Sequence, residues 1–322
     1  MVVPAYNEEA VLSEAHRRLS AVLADLDLDY EIIYVNDGSR DRTAEMLQGL
    51  AAGDSHVRVL GFSRNFGHQV AVTAGIQHAD GDAVVLIDAD LQDPPELIAE
   101  FVKKWQEGCD VVYAVRKSRA GETWFKKITA RAFYRILQSL IEIDIPLDTG
   151  DFRLMSRRVV DSLNAMPERH RFVRGMVAWV GFKQVGIEYE RQERYAGETK
   201  YPLKKMIRFA LDGITAFSFK PLQLASVLGM YAALIGFVGI MASILVKLFG
   251  VTVQGWSSMM VVVLFLGGVQ LVILGIMGEY LGRIYDEVRG RPLYLLQERI
   301  GFEDAGLVDK PGGERELRRE RA

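Results

Sequence analysis

Two aspartates separated by one residue follow an apolar run in the first third of the chain. The run Val84-Val85-Leu86-Ile87 leads directly into Asp88-Ala89-Asp90. In an extended chain alternate side chains point the same way, so we expect Asp88 and Asp90 to converge on one ligand. Two converging carboxylates suit a hard divalent cation, Mg²⁺ or Mn²⁺, that completes its coordination with diphosphate oxygens and water. The spacing therefore predicts a site for a metal ion and a diphosphate.

Two other interpretations of this Asp-x-Asp sequence remain open. One is a solvated turn without a chemical role, because short acidic pairs are common. The other is a phosphatase in which the first aspartate of an Asp-x-Asp-x-Thr/Val pattern attacks phosphorus as a nucleophile. Gln92 occupies the position where that pattern requires Thr or Val, which counts against the phosphatase.

Polar residues also follow the first two apolar runs of the chain. Tyr6 and Glu8 come after Val2-Val3, and Asp37 comes after the run that ends at Val35. The glycine next to Asp37 permits a tight turn, and the polar residues beyond it can cap the following helix. We expect Asp37 at the same sheet edge as the paired aspartates, where its carboxylate is free to accept hydrogen bonds from a base or a ribose.

Short apolar strands that alternate with amphipathic helices must position these residues. The alternation predicts a mostly parallel α/β sheet built from βα units, with helices on both faces. In such a sheet ligands bind at the carboxyl ends of the strands, and the polar residues follow those ends. The predicted strands contain the apolar runs Val2-Val3, 30–35, 57–60, 83–87 and 110–113.

Two later segments, 222–246 and 257–278, contain no charged residue. Each is long enough to cross about 30 Å of hydrocarbon at about 1.5 Å per residue. A buried helix hairpin is the alternative, but the length of both segments favours transmembrane helices. The flanking basic residues predict a multi-pass protein of the plasma (inner) membrane with the catalytic domain and both termini in the cytoplasm. These residues are Lys204, Lys205, Arg208 and Lys220 before the first segment and Arg283, Arg289 and Arg291 after the second, with only Lys247 between.

Two further segments, 123–143 and 203–219, combine apolar positions with basic ones. Lys127, Arg131 and Arg135 recur at every fourth residue and so share one helix face. Basic amphipathic helices of this kind can lie in a membrane interface, and a solvated helix packed on the sheet is the alternative. The predicted organisation is a catalytic domain that includes the first segment, an interface helix, a transmembrane hairpin and a cytosolic tail, over residues 1–200, 201–220, 221–290 and 291–322.

Composition limits the other classes of function. The formal net charge is -3 and the basic residues form no single long run, so nucleic-acid binding is disfavoured. Cys109 is the only cysteine, which excludes an intramolecular disulfide and a cysteine-cluster metal site. From the polar residues that follow Pro4 we expect no export signal. Because the first strand lacks residues on its N-terminal side, we expect the natural chain to begin upstream of Met1.

Six motifs in order give the chain a resemblance to a known family. They resemble family 2 glycosyltransferases with the GT-A fold, in particular the polyprenyl-phosphate glycosyltransferases related to dolichol-phosphate mannose synthase and to bacterial undecaprenyl-phosphate glucosyl and aminoarabinosyl transferases. The resemblance covers roughly residues 2–291, and the two predicted spans match the membrane-embedded bacterial branch. The motifs are Val3-Pro4-Ala5-Tyr6-Asn7-Glu8-Glu9, Asn36-Asp37-Gly38-Ser39-Arg40-Asp41, Ser63-Arg64-Asn65-Phe66-Gly67-His68, Asp88-Ala89-Asp90-Leu91-Gln92-Asp93-Pro94-Pro95, Asp151-Phe152-Arg153-Leu154 and Arg194-Tyr195-Ala196-Gly197-Glu198-Thr199-Lys200-Tyr201.

The resemblance implies a nucleotide-sugar donor, with UDP-glucose as the first expectation. It implies that the nucleoside is held by Pro4, Tyr6, Glu8 and Asp37, and that the metal, Mg²⁺ or Mn²⁺, and the diphosphate are organised by Asp88, Asp90 and Gln92. The residues that would neutralise phosphates of donor or acceptor are Arg116, Arg194 and Lys200.

The resemblance also implies a polyprenyl-phosphate acceptor, to which a hexose is transferred with inversion at the lipid bilayer. Lys127, Arg131 and Arg135 are the candidates for contact with lipid phosphate. Asp151 is expected either to orient the acceptor or the sugar, to act as a base, or to make a structural hydrogen bond. A homo-oligomer is implied, with a tetramer as one candidate.

A processive polysaccharide synthase of the same fold is the nearest alternative enzyme. Such a synthase normally shows a Gln-x-x-Arg-Trp motif and more membrane spans. This chain has Gln192-Glu193-Arg194-Tyr195 and two predicted spans, so transfer of a single sugar is favoured.

Overall fold

The computed structural model of the chain describes residues 1–117, 149–190, 218, 220–248 and 255–302. The predicted amphipathic segment 123–143 lies outside these residues, as does nearly all of the predicted interface helix. Five predicted site residues also lie outside the described part of the chain, namely Lys127, Arg131, Arg135, Arg194 and Lys200.

The strands of the described residues form one sheet in the order β7-β5-β6-β4-β1-β2-β3-β8. β6 runs antiparallel to β4 and β5, β8 runs antiparallel to β3, and the other neighbours are parallel. The predicted mostly parallel α/β sheet is therefore confirmed. The strands are β1 (Val2–Ala5), β2 (Ile32–Asn36), β3 (Val57–Phe62), β4 (Ala83–Leu86), β5 (Val111–Arg116), β6 (Thr149–Ser156), β7 (Gln184–Tyr189) and β8 (Leu296–Ile300).

Helices cover both faces of this sheet. They are α1 (Leu12–Ala24), α2 (Thr43–Gly53), α3 (His68–His78), α4 (Ile98–Gln106, after a 3₁₀ turn at Pro95–Leu97), α5 (Arg157–Ala165), α6 (Val173–Trp179), α7 (Lys220–Leu248) and α8 (Trp256–Arg289). Successive strand side chains point to opposite faces. In β1, Val3 packs into a core with α1, α2 and α4, whereas Val2 packs into a second core with α3, α5 and α6.

The strand that leads to the paired aspartates ends earlier than predicted. β4 ends at Leu86, and Asp90 lies in a turn rather than in an extended chain. Leu91 has a φ of 57°, in the left-handed region that bulky side chains rarely adopt. The expectation that Asp88 and Asp90 converge through strand alternation is therefore wrong. Asp88 reaches the sheet edge directly after β4, and Asp90 reaches it through this turn.

Two helices, α7 and α8, are long and apolar enough to cross a membrane. Their most apolar stretches are Lys220–Gly239, with a mean hydropathy of 1.7, and Phe265–Arg289, with a mean hydropathy of 1.5. Only 6% of the first stretch and 0% of the second is buried, unlike a core helix of a soluble protein. The two helices overlap the predicted spans, and the direction in which they cross the membrane stays a prediction.

The chain after α8 returns to the sheet. β8 pairs with β3, and the Tyr294 ring stacks on Phe62 with centroids 5.0 Å apart. The Tyr294 hydroxyl also donates a hydrogen bond to Gln77 Oε1 at 2.9 Å. The described part of the predicted tail thus contains an edge strand, which ties the C-terminal end of α8 to the sheet.

A close contact between α3 and β1 leads to the first testable prediction. An added Cβ at Gly75 would overlap Val2 Cγ1, and both residues lie in a packed core. We expect Gly75→Ala to lower the free energy of unfolding by about 1–3 kcal/mol, because overpacking forces side chains or backbone to shift. Thermal and urea unfolding of the full chain in detergent would measure this loss.

Gly49→Ala is the matched control, because Gly49 is an exposed residue of α2 with no neighbouring atom within 4 Å of an added Cβ. This change should leave stability unchanged or raise it by up to about 1 kcal/mol. The additional substitution Val2→Ala should restore part of the stability of Gly75→Ala. Equal stability of the two single alanine variants would contradict the packing of α3 on β1.

Candidate active site

A cleft of about 270 Å³ opens at the edge of the sheet where β1, β2 and β4 end. β6 runs in the opposite direction, so its first residues reach the same edge. The ends of three parallel strands and the start of β6 thus bring side chains from separate segments of the chain to this cleft. The cleft is lined by Pro4, Ala5, Tyr6, Glu8, Asp37, Asn65, Gly67, His68, Ala71, Asp88, Ala89 and Asp90.

Asp37 organises the wall of the cleft that leads into α3. Its carboxylate accepts hydrogen bonds from the backbone N–H groups of Phe66 at 2.6 Å and Gly67 at 2.9 Å. Burial raises the pKa of this carboxyl group, although these backbone bonds oppose the shift. Gly38, with a φ of 65°, is required next to it, since a Cβ there would overlap the backbone of Arg64. These two backbone donors orient the carboxylate and leave it acceptor positions for a ligand.

The paired aspartates differ in how they are satisfied. Asp90 Oδ1 accepts a hydrogen bond from the Gln92 backbone N–H at 3.1 Å. The Asp88 side chain is 34% exposed, but its Oδ1 atom is buried and has no hydrogen-bond partner. Burial raises the pKa of Asp88 to about 6, helped by the nearby carboxylates of Asp151, Asp90 and Asp93.

This arrangement fits a divalent cation. Asp88 and Asp90 supply oxygen ligands, and the buried Asp88 Oδ1 lacks the partner that a buried carboxylate oxygen requires. Among the described residues, no group of three or more His, Cys, Asp or Glu side chains could hold a metal ion. A cation held by the two aspartates would complete its coordination with phosphate oxygens and water, as Mg²⁺ commonly does.

A charged cluster beside Asp88 centres on Asp151. The Nε2 atom of His68 lies 3.1 Å from Asp151 Oδ2 and 3.6 Å from Asp88 Oδ1. Arg174 donates from Nε at 3.2 Å and from Nη2 at 3.1 Å to Asp151 Oδ1. Burial alone would raise the pKa of Asp151, but Arg174 and His68 hold this pKa well below its usual range. Asp151 and Asp88 in turn raise the pKa of His68 to about 9, against the effect of burial.

A second cluster joins the ends of β5 and β7. Tyr189 donates its hydroxyl hydrogen to the buried Asp93, and Arg116 Nε donates to the Tyr189 oxygen at 3.2 Å. The Arg116 guanidinium lies so close to the start of β6 that a Cβ at Gly150 would be 2.7 Å from Nη2. Burial raises the pKa of Tyr189 to about 12, with a contribution from Asp93.

The structure brings most of the described site predictions together. Pro4, Tyr6, Glu8, Asp37, Asp88 and Asp90 line the cleft, and Asp151 borders it through His68. Arg116 lies in the second cluster. Gln92 is buried, and its backbone N–H contacts Asp90.

Sequence reasoning missed four residues of the two clusters: His68, Asp93, Arg174 and Tyr189. The first two stand inside motifs that were recognised, so they could have been found. The other two carry no motif, and only the fold places them at this edge.

An α/β sheet with an acidic cleft at the carboxyl ends of its strands is the arrangement in which enzymes of this class bind their ligands. The particular family follows from sequence comparison, in which residues 1–163 match Glycosyl transferase family 2. The chain belongs to this family, which confirms the predicted glycosyltransferase.

Relatives extend the match over nearly the whole chain. The "Uncharacterized glycosyltransferase YkcC" of Bacillus subtilis (strain 168) is 54% identical over 95% of this chain and 95% of its own length. The SfII prophage-derived bactoprenol glucosyl transferase of Shigella flexneri is 42% identical over 92% of this chain and 97% of its own. A solved structure of glucosyl-3-phosphoglycerate synthase from Mycobacterium tuberculosis, in complex with Mn²⁺, UDP and phosphoglyceric acid, is a distant match. It has 19% identity and a TM-score of 0.43 over 66% of this chain and 75% of that one.

The second cluster gives a prediction about activity. Tyr189→Phe removes the hydroxyl group that joins Asp93 to Arg116, so the guanidinium loses part of its orientation. We expect sugar transfer to slow about tenfold, the effect of one hydrogen bond to a charged group. Initial rates at saturating donor and acceptor would measure this loss.

Tyr294→Phe is the control for this substitution, because it removes a tyrosine hydroxyl bond from the segment before β8 to α3, outside the cleft lining. Its rate should stay within about twofold of the unmodified chain. If both phenylalanine variants lost activity equally, the tyrosine at the end of β7 would have no special role.

Proposed function

We propose that this chain transfers a hexose, with glucose from UDP-glucose as the first candidate, to a polyprenyl phosphate. The observation that carries the proposal is that an acidic cleft and two helices of membrane-spanning length belong to one chain. Such an enzyme meets an acceptor that is embedded in the bilayer. The relatives named bactoprenol glucosyl transferases support both glucose and a polyprenyl acceptor.

The donor would occupy the cleft at the ends of β1, β2 and β4. Pro4, Tyr6 and Glu8 are proposed to hold the nucleoside together with Asp37, whose loop forms one wall. Asp88, Asp90 and Gln92 are proposed to organise a divalent cation with the diphosphate, and the Gln92 backbone N–H also donates to Asp90. When bound, Mg²⁺ or Mn²⁺ would offset the negative charge of the diphosphate. Arg194 and Lys200, outside the described residues, are proposed to contact phosphate.

The reaction is proposed as a single displacement with inversion. An oxygen of the acceptor phosphate forms a bond to the anomeric carbon while the bond from that carbon to the donor diphosphate breaks. The products are a polyprenyl-phosphate sugar and a nucleoside diphosphate. A phosphate monoester is already an anion near neutral pH, so the chemistry does not require a strong base. Arg116, at the same sheet edge, is proposed to stabilise phosphate charge.

The membrane part is proposed to bring the acceptor to this edge. Both termini and the catalytic domain would face the cytoplasm, as the flanking basic residues predict, with α7 and α8 anchoring the chain in the plasma membrane. Lys127, Arg131 and Arg135 are proposed to contact lipid phosphate at the bilayer surface. A homo-oligomer, with a tetramer as one candidate, remains part of the proposal.

A lipid-extraction assay tests the function directly. The purified full chain would be incubated with labelled nucleotide-sugars, undecaprenyl phosphate and Mn²⁺, and the label would be extracted into organic solvent. We expect a single labelled sugar on the lipid, most with UDP-glucose, and loss of at least about a hundredfold with Asp88→Asn or with EDTA, because a group that stabilises diphosphate charge is removed.

Asp161→Asn is the matched control, since Asp161 is an exposed aspartate on α5 whose side chain is 65% accessible. It should transfer sugar at the normal rate. Label in a long polymer would support the processive synthase, and release of inorganic phosphate without a lipid product would support the phosphatase. Absence of label from the lipid phase with every donor would refute the proposed function.

A further inference from the structure

We infer that Arg174, held in place by Asp151 and His68, binds the phosphate of the membrane acceptor, and that Asp151 anchors this pair instead of acting as a base. The inference rests on the proposed transfer reaction and deepens it by assigning the acceptor side of the cleft. Neither the sequence motifs nor the family match, which ends at residue 163, assigns Arg174 to the acceptor.

Both carboxylate oxygens of Asp151 accept hydrogen bonds from neighbouring side chains. Oδ1 accepts two bonds from Arg174, and Oδ2 accepts bonds from His68 Nε2 at 3.1 Å and Gln69 Nε2 at 3.4 Å. A carboxylate offers about four lone-pair positions. All four are used by donors of the protein, whereas a general base needs a lone pair directed at the proton that it removes. Asp151 is therefore built as an anchor.

The anchored residues suit a phosphate. A guanidinium carries five N–H donors in a fixed plane, so Arg174 can hold Asp151 and also donate to a phosphate oxygen. The Arg174 side chain is 24% exposed and the His68 side chain is 43% exposed, so solvent and ligands can reach both. His68 also lies between Asp151 and Asp88, which places the pair next to the proposed diphosphate position.

The connection of α6 to α8 indicates which phosphate reaches this pair. The loop before Arg174 contacts the last turns of α8, where His170 Nε2 lies 3.3 Å from Asp286 Oδ2 and the Arg169 backbone N–H donates to Glu287 Oε1 at 2.8 Å. These α8 residues follow the predicted span, which ends at residue 278. Arg174 thus stands between the cleft and the helix that leads into the membrane.

The cleft wall fixes the same segment from the other side. Gln69 on α3 accepts a hydrogen bond from the Val173 backbone N–H at 3.0 Å, while its amide nitrogen contacts Asp151. The start of α6 is therefore held both by α3 and by the end of α8. A phosphate on a lipid would approach along α8, whereas the donor diphosphate is assigned to Asp88 and Asp90.

The test separates acceptor binding from donor binding and from catalysis. The full chain in neutral detergent would be supplied with Mn²⁺, the donor found in the lipid-extraction assay and citronellyl phosphate as a short acceptor of varied concentration. Neutral detergent removes bulk anionic lipid as a source of phosphate. We expect Arg174→Gln to raise the acceptor KM about ten- to a hundredfold, as for loss of a charge-assisted hydrogen bond. The affinity for UDP with Mn²⁺ should change by less than about twofold.

Two further variants distinguish the anchor from a base. Arg174→Lys keeps the charge but not the fork, so its acceptor KM should lie between those of the unmodified chain and Arg174→Gln. Asp151→Asn should also raise the acceptor KM, and the effects of Asp151→Asn and Arg174→Gln should not add in the double variant, because both act on one unit.

Arg158→Gln is the matched control, because Arg158 forms a similar pair with Asp110 at the start of β5, at the opposite end of the strand from the cleft. Its acceptor KM should be unchanged. The inference is overturned if Arg174→Gln weakens UDP binding instead of acceptor binding, or if Asp151→Asn lowers kcat alone with an unchanged acceptor KM. Failure of the unmodified chain to label any lipid would instead refute the proposed function, and UDP binding would still be measurable.

Discussion

The structure of the cleft depends on one constraint: a buried carboxylate must have hydrogen-bond donors or a positive charge beside it. Four aspartates with wholly or partly buried carboxylates, Asp37, Asp88, Asp93 and Asp151, lie with Asp90 at one edge of the sheet. A buried charge without a partner strongly destabilises a fold. Backbone amides satisfy Asp37, a tyrosine and an arginine satisfy Asp93, and Arg174 with His68 satisfies Asp151. Asp88 alone among these four has a buried oxygen without a hydrogen bond. The protein thus supplies hydrogen-bond partners to these carboxylates except at Asp88, where the proposed cation would bind.

Two antiparallel strands make this arrangement possible. Because β6 reverses the direction of the sheet, its first residues meet the last residues of the parallel strands, and Asp151 reaches the cleft. β8, the second reversed strand, follows α8 and pairs with β3. The catalytic domain is consequently tied to the membrane helix twice, through β8 and through the loop before α6. This double attachment fixes the acidic edge relative to the end of α8.

Much of the fold could be predicted from the sequence, but less of the site. The apolar runs indicated the first five strands, and the uncharged segments indicated α7 and α8, because both signals come from short stretches of chain. Strand β8 was assigned to a tail, since its alternation is too short to indicate a strand without its partner β3. Asp88 and Asp90 both line the cleft, but the sequence indicated an extended chain there because the turn at Leu91 was not recognised. Arg174 and Tyr189 depend on long-range pairing, which no local pattern reports.

Mn²⁺ binding with and without the donor tests the central claim most directly. The free Mn²⁺ concentration in the presence of the purified full chain would be followed by electron paramagnetic resonance. If Asp88 and Asp90 share the cation with a diphosphate, Mn²⁺ should bind weakly to the chain alone and at least about tenfold more tightly once UDP is present at saturation, because the chain supplies few of the ligands. Tight binding of Mn²⁺ without UDP, or equal affinity with UDP and without it, would contradict the account.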